Sequence, residues 1–231
     1  MKITPHILLV DDDFNFSEIT REYLDAKGCK TVLKHNADSG LLAFKHEHFD
    51  LCVLDVKMPM KNGFELAEEI RALDGLVPII FLTGQTHKED RIKGLKLGAD
   101  DYVTKPFSME ELYLRIRNIL KRTQFHSEGK QEMERYQIGQ FSFDATSRQL
   151  FFLEETIRLT AIEASLLKMF CDNENGLLER NLALKRIWGD DDLVRGRSLN
   201  VYVSKLRSFL KRDKTIEILN VHGIGYKMVV M

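Results

Sequence analysis

No run of about 18 apolar residues occurs in this 231-residue chain, so it offers no candidate for a membrane-spanning helix. The opening MKITPHILLVDDD holds an apolar stretch too short for a secretory signal, and three acids follow it at once. Cysteines are few: Cys29, Cys52 and Cys171 are scattered and odd in number. That excludes a disulfide framework and suits small buried thiols in a reducing cytoplasm. No Cys/His spacing fits a zinc site, and neither G-x-x-x-x-G-K-[ST] nor G-x-G-x-x-G appears. What is present, 44% hydrophobic and 30% charged residues, is ordinary for a globular protein and argues against wholesale disorder.

The net charge of −1 conceals an uneven distribution. Residues 195–214 carry seven basic residues against one acid, while Asp11, Asp12 and Asp13 stand together near the start. A balanced total therefore does not exclude a basic nucleic-acid footprint.

The two halves of the chain follow different patterns. In the first, short apolar runs at 7–10, 30–33, 51–54, 79–82 and 101–103 read as strands. Amphipathic stretches at 15–26, 39–46, 64–73, 88–97 and 108–121 read as helices. Gly28 and Gly98 fall where helix C-caps belong, and Ser108 with Glu111 fits a capping box. Strict alternation of strand and helix implies an α/β fold, a parallel sheet covered on both faces. The polar segment 123–136 reads as a linker between a first domain, 1–122, and a second, 137–231. The second domain places short strands first, then helices at 161–171, 182–187 and 198–212, then a terminal hairpin, which is an α+β order.

In a parallel sheet of this kind reactive groups gather beyond the carboxyl ends of the strands. Asp11 and Asp12 end the first strand, Asp55 the third and Thr83 the fourth, and Lys105 follows the fifth. Clustered carboxylates repel one another unless a cation sits among them, and all-oxygen donors suit Mg²⁺. Asp12 and Asp55 would hold the ion directly and Asp11 through water, with Asp55 the nucleophile toward a phosphoryl group. Lys105 and the metal would neutralise the transferred charge, and Thr83 would donate to a phosphate oxygen. Each member alone has a plainer reading: an N-terminal turn for the three acids, a turn residue for Asp55, an exposed lysine for Lys105. Order and strand-end placement together favour a functional site.

ILLVDDD, LCVLDVKMPMKNGFEL, PIIFLTG and GADDYVTKPFSMEEL resemble, in that order, the receiver domain of two-component response regulators. The resemblance implies a CheY-like, flavodoxin-type fold with a five-stranded parallel sheet. It also implies phosphorylation of Asp55 by a sensor histidine kinase and Mg²⁺ held by Asp12, Asp55 and the Lys57 carbonyl. Thr83 and Tyr102 would form the switch pair, and the Lys105–Pro106 peptide would be cis. A domain of this kind acts only on its own phosphate, so the chain is not expected to be an enzyme toward other substrates. Two residues depart from the pattern. Met60 stands where the family commonly has glycine, and Lys57 occupies a variable position able to shape attack by water on the phosphate.

Residues 195–213 place Leu199, Val203, Leu206 and Leu210 on one helical stripe, with Asn200, Ser204, Arg207 and Lys211 opposite. Such a basic helix is a solvated face, a membrane-surface helix or a DNA reader. The membrane reading lacks an aromatic-rich apolar edge. Residues 139–231 resemble the winged helix-turn-helix effector domain of the OmpR/PhoB subfamily, through IRLTAIEASLLKMF, LALKRIWGDD, SLNVYVSKLRSFL and VHGIGYK. The resemblance implies promoter DNA as a partner, with contacts from Arg197, Ser198, Tyr202, Lys205 and Arg207 in the major groove. His222 takes the wing position that often holds arginine, and the loop 188–196 would face RNA polymerase. A homodimer on activation would use Arg91, Asp101, Glu111 and Arg115 as charges around an apolar Ile92 and Leu95. Two alternatives stay open: a DNA-binding regulator that needs no phosphate, and an aspartate-nucleophile phosphatase. The second wants an acid two residues past Asp55, where this chain has Lys57.

Overall fold

The computed structural model describes residues 4–84, 93–94, 97–124, 134–188 and 196–231; the side chains of 122–124 and 196–198 lie outside the description. The chain divides into two compact units, 1–125 and 126–231.

In the first unit, β1 (His6–Val10), β2 (Lys30–Lys34), β3 (Leu51–Asp55), β4 (Ile79–Thr83) and β5 (Asp101–Thr104) form one parallel sheet in the order β2-β1-β3-β4-β5. Among the described residues the helices with defined ends are α1 (Phe14–Ala26), α2 (Ala37–His46), α3 (Gly63–Leu73) and α4 (Met109–Gln124). β3 and β4 are buried at every position because both faces of the sheet are covered. The period of two sorts their side chains into two cores. Leu8, Val10, Cys52, Leu54, Ile79 and Phe81 pack with Phe64, Leu66 and Ile70 of α3. Ile7, Leu9, Leu51, Val53, Ile80 and Leu82 pack with Leu24 of α1 and Leu112, Ile116 and Ile119 of α4. The strands from the sequence recur within one residue at each end, and Gly28 and Gly98 hold φ of 90° and 77°, as C-cap glycines do. The stretch expected to be helical at 88–97 lies mostly outside the described residues, though Lys93 and Gly94 are helical.

The helix caps are specific. Asp13 Oδ1 accepts from Phe16 N–H at the start of α1. Asn62 and Glu65 form a full capping box on α3. Ser108 Oγ accepts from Glu111 N–H, but the Glu111 carboxylate turns to Arg115 instead of completing the expected box. α4 runs to Gln124 and β6 begins at Arg135, so structure enters the expected linker 123–136 from both ends.

In the second unit β6 (Arg135–Ile138), β7 (Phe141–Asp144), β8 (Gln149–Phe152) and β9 (Glu155–Arg158) form an antiparallel meander. Three helices follow: α5 (Ala161–Asp172), α6 (Arg180–Trp188) and α7 (Gly196–Leu210). β10 (Leu177–Glu179), β11 (Ile216–Val221) and β12 (Gly225–Val230) make a second sheet in the order β10-β12-β11. β10, only three residues long, was not evident from the sequence. Thr160 and Glu163 cap α5 reciprocally. Phe141, Phe143, Phe170 and Tyr202 are the largest buried side chains of this unit. No described helix is long and apolar enough to cross a membrane.

Candidate functional site: an acidic crevice and a basic helix

The sheet order reverses between β1 and β3, since the chain leaves β1 for β2 on one side and returns to β3 on the other. A crevice opens beyond the carboxyl ends of the strands at such a point. Asp11 and Asp55 stand there, 0% and 5% exposed, with Asp12 half-buried beside them. One carboxylate oxygen from each of the three lies within 4.8 Å of the others. The Lys105 Nζ donates to Asp11 Oδ2 at 2.7 Å and to Asp55 Oδ2 at 2.9 Å. The Lys57 N–H donates to Asp55 Oδ1 at 3.3 Å. The Phe16 ring covers the ammonium, 5.2 Å from its centroid. The Lys105–Pro106 peptide is cis, as the resemblance implied.

Burial pushes the Asp55 carboxyl above the usual carboxylate range, and Asp11 adds to this, while Lys105 pulls the other way. Lys105 itself is held above its ordinary value. Burial lowers it, but the hydrogen bonds to Asp11 and Asp55 outweigh that. An all-oxygen set this close, with Lys105 the one ammonium bonded to it among the described residues, fits a hard divalent cation such as Mg²⁺.

Beside the acids, Val56, Lys57, Met58, Pro59, Asn62, Phe64, Thr83 and Lys93 line a cleft of ≈ 540 Å³. Thr83 is 3% exposed. Tyr102 is half-buried with its ring 5.2 Å from that of Phe81. A Cβ on Gly94 would lie 1.4 Å from the Tyr102 hydroxyl, so only glycine leaves room for the ring there. Gly63 was not singled out from the sequence. A Cβ on it would lie 2.1 Å from the Asp55 carbonyl oxygen, so the loop after β3 closes only over glycine.

Met60 holds φ of 64° and is almost wholly exposed. That left-handed backbone is the physical reason for a glycine there. Met60→Gly should stabilise the fold by about 0.5–1 kcal/mol, read as a higher urea midpoint with unchanged m. A lower midpoint would show that the loop carries no strain at this residue.

Of the residues expected at a dimer face, Arg91, Ile92 and Leu95 lie outside the described residues. The others form a network within the chain. Arg115 donates to Asp101 Oδ2 at 3.2 Å and to Glu111 Oε1 at 2.5 Å, and Asp101 is buried.

The basic helix is α7, whose Leu199, Val203, Leu206 and Leu210 are all buried. Its expected DNA contacts separate into three groups. Tyr202 is 0% exposed with its ring 6.0 Å from Trp188, which corrects its assignment as a DNA contact: it is core. Lys205 is also drawn inward, its Nζ 3.0 Å from the buried Glu163 of α5, and so serves packing instead of projecting outward. Arg207 is exposed, but its guanidinium donates to the Ile218 carbonyl of β11 at 2.9 and 2.6 Å. The side chains of Arg197 and Ser198 lie outside the description, as does most of the loop 188–196. His222 is exposed in the turn between β11 and β12, beside Gly223 with φ of 75°.

Residues 7–117 match the family model described as the response regulator receiver domain, and residues 154–228 the one described as transcriptional regulatory protein, C terminal. The chain is 48% identical over 225 residues to the transcriptional regulatory protein RprY of Bacteroides fragilis, covering 96% of this chain and 94% of that one. Among solved structures, a mutant of RitR matches at TM-score 0.75 and 25% identity, over 98% of this chain and 100% of that one. The response regulator DrrB, a Thermotoga maritima OmpR/PhoB homologue, matches over the same shares at TM-score 0.52 and 27% identity. A CheY-like receiver joined to a DNA-binding output domain defines a transcriptional response regulator. This chain belongs to that family, in its OmpR/PhoB branch.

Proposed function

We propose that Asp55 is the phosphoacceptor and that its phosphorylation by a sensor histidine kinase raises the affinity of paired copies for promoter DNA. The observation that carries this reading is the Asp11–Asp55–Lys105 cluster at the sheet's switch point, with Asp12 completing the donor set. The kinase phosphohistidine P–N bond breaks, a P–O bond forms to an Asp55 carboxylate oxygen, and the histidine nitrogen leaves. The ion site would draw on Asp11, Asp12, Asp55 and the Lys57 carbonyl. When bound, Mg²⁺ would supply charge neutralisation on the phosphoryl oxygens. Lys105 already holds a positive charge against the same carboxylate and would pair with a phosphoryl oxygen. Hydrolysis by water would restore the free carboxylate, with Lys57 at the mouth of the adjoining cleft.

Thr83 at the floor of that cleft would donate to the new phosphoryl group, and Tyr102 would follow into the space beside it. Their neighbour Asp101 ends in the Arg115 and Glu111 network. In a homodimer these charges would exchange partners across the axis, and a pair through the half-exposed Glu111 side chain would be worth under about 1 kcal/mol. Pairing of receivers would raise the local concentration of two output domains, so that affinity for paired half-sites rises without new base contacts. α7 would enter the major groove and the β11–β12 turn the neighbouring groove, with His222 at its tip. The loop 188–196 would meet RNA polymerase, and the reactions would take place in the cytoplasm.

The test is affinity for a duplex enriched from a randomised pool, measured with and without an acyl-phosphate donor plus Mg²⁺, in the natural chain and in Asp55→Ala. The donor should tighten binding at least tenfold in the natural chain alone. Equal affinity in all four conditions would leave a DNA-binding regulator that acts without phosphate.

A further inference from the structure

One polar side chain on the exposed face of α7 is held in a way that limits what it can read. Asn200 is exposed and lies in the first half of the helix. Its Oδ1 accepts from Arg180 Nη1 at 2.9 Å and from the Tyr226 hydroxyl at 2.5 Å. Arg180 Nη1 also donates to the Tyr226 oxygen at 3.2 Å, which leaves that hydroxyl proton for Asn200. The orientation of the amide follows from chemistry alone. A guanidinium only donates, so the Asn200 atom facing it must be the oxygen. Three elements, α6, α7 and β12, therefore clamp one amide.

A carbonyl oxygen has two acceptor positions, and here both are taken. The amide nitrogen keeps two N–H groups, and among the described residues nothing accepts from them. An asparagine free to turn recognises adenine by donating to N7 and accepting from the N6 amine. Asn200 cannot supply the second half of that pair. Towards DNA it is a donor only.

We propose that Asn200 is a specificity-determining residue, reading base-edge acceptors in the major groove, best matched by guanine, which offers two (N7 and O6) where adenine and thymine offer one each, and that Tyr226 and Arg180 fix it in this role. The inference rests on the reading of α7 as the DNA-contacting helix. The residue's place in the first half of α7 favours a base over a phosphate, because recognition helices contact base edges through their N-terminal residues.

The experiment is enrichment of binding duplexes from a randomised pool by the full-length chain, then by Asn200→Ala and Asn200→Asp. A carboxylate at 200 accepts from Arg180 and Tyr226 as well as the amide does, so the clamp survives while the outward donor is lost. The natural chain should enrich guanine at one position, the base whose two acceptors match the two N–H groups. Asn200→Ala should lose that preference and about three- to tenfold in affinity for the enriched duplex. Asn200→Asp should turn the same position toward cytosine, whose N4 amine donates. A uniform loss of affinity with the preference intact would place the amide on a phosphate and overturn the proposal, as would no change in either variant. If the natural chain enriches no sequence at all, the DNA reading itself fails, an outcome recognisable before any variant is compared.

Discussion

Lys105→Met should destabilise the receiver unit by about 3 kcal/mol at neutral pH, the effect of leaving buried carboxylates without their cation. The natural ammonium lies within 2.9 Å of two carboxylates whose side chains are 1% and 8% exposed. Methionine preserves the apolar stem beneath Phe16 but not the charge. Asp55 already titrates above the usual carboxylate range because of its burial, and Lys105 is what restrains it. Without the lysine its folded-state value rises further. A carboxyl raised in the folded state stabilises the fold while protonated, and that contribution disappears as pH rises through the folded value. The deficit of the variant should therefore be largest near neutrality and shrink on acidification toward the carboxylate range. Millimolar Mg²⁺ should recover part of it, since anything that binds only the folded state stabilises by mass action, about 2.7 kcal/mol at a hundredfold excess over Kd. The single tryptophan, Trp188, lies in the other unit and provides an internal control. Urea unfolding followed by far-UV circular dichroism should show the receiver transition displaced, while the tryptophan fluorescence transition stays in place. Equal receiver midpoints for variant and natural chain would mean that the carboxylates do not depend on this ammonium.

Tyr202→Ala is the second large effect, a loss of about 3–5 kcal/mol in the output unit, as for other fully buried aromatic residues. Tyr202 has no exposed surface and packs near Trp188, so tryptophan fluorescence should report both the lower midpoint and a changed native signal. Tyr202→Phe keeps the ring and most of the packing. It should bind the enriched duplex as tightly as the natural chain does. A tenfold weaker duplex affinity in Tyr202→Phe, with the fold intact, would bring the hydroxyl back to the DNA surface.

The contrast between Tyr202 and its neighbours shows what the sequence makes legible. Leu199, Val203, Leu206 and Leu210 announce the buried stripe by spacing and chemistry together. Tyr202 lies three residues past Leu199, on the same side, and spacing alone would have put it in the core. The resemblance assigned it an outward role that its burial does not allow. Lys205 misleads for a different reason. Its partner Glu163 is 42 residues away and is recognisable only as the last member of a T-x-x-E capping box at 160–163. No local pattern shows that the box also receives a lysine from α7.

The receiver was legible almost throughout because its central strands are continuous apolar runs that stop abruptly at chemistry. β1 ends before Asp11, β3 ends on Asp55 and β4 on Thr83. Side-chain chemistry at those ends is set by strand order, and strand order follows from the alternating pattern. The run of three acids divides between two roles. Asp11 and Asp12 join the crevice, while Asp13 caps α1 and serves structure. Close approaches were illegible, because Gly63 and Gly94 owe their roles to backbone and ring atoms brought near only by folding.

Intact-mass spectrometry of the natural chain and of Asp55→Ala, each incubated with Mg²⁺ and an acyl-phosphate donor, probes the central claim most directly. The natural chain should gain one phosphoryl group, labile to hydroxylamine as an acyl phosphate is, and Asp55→Ala none. An unmodified natural chain, or equal modification of both, would contradict the account.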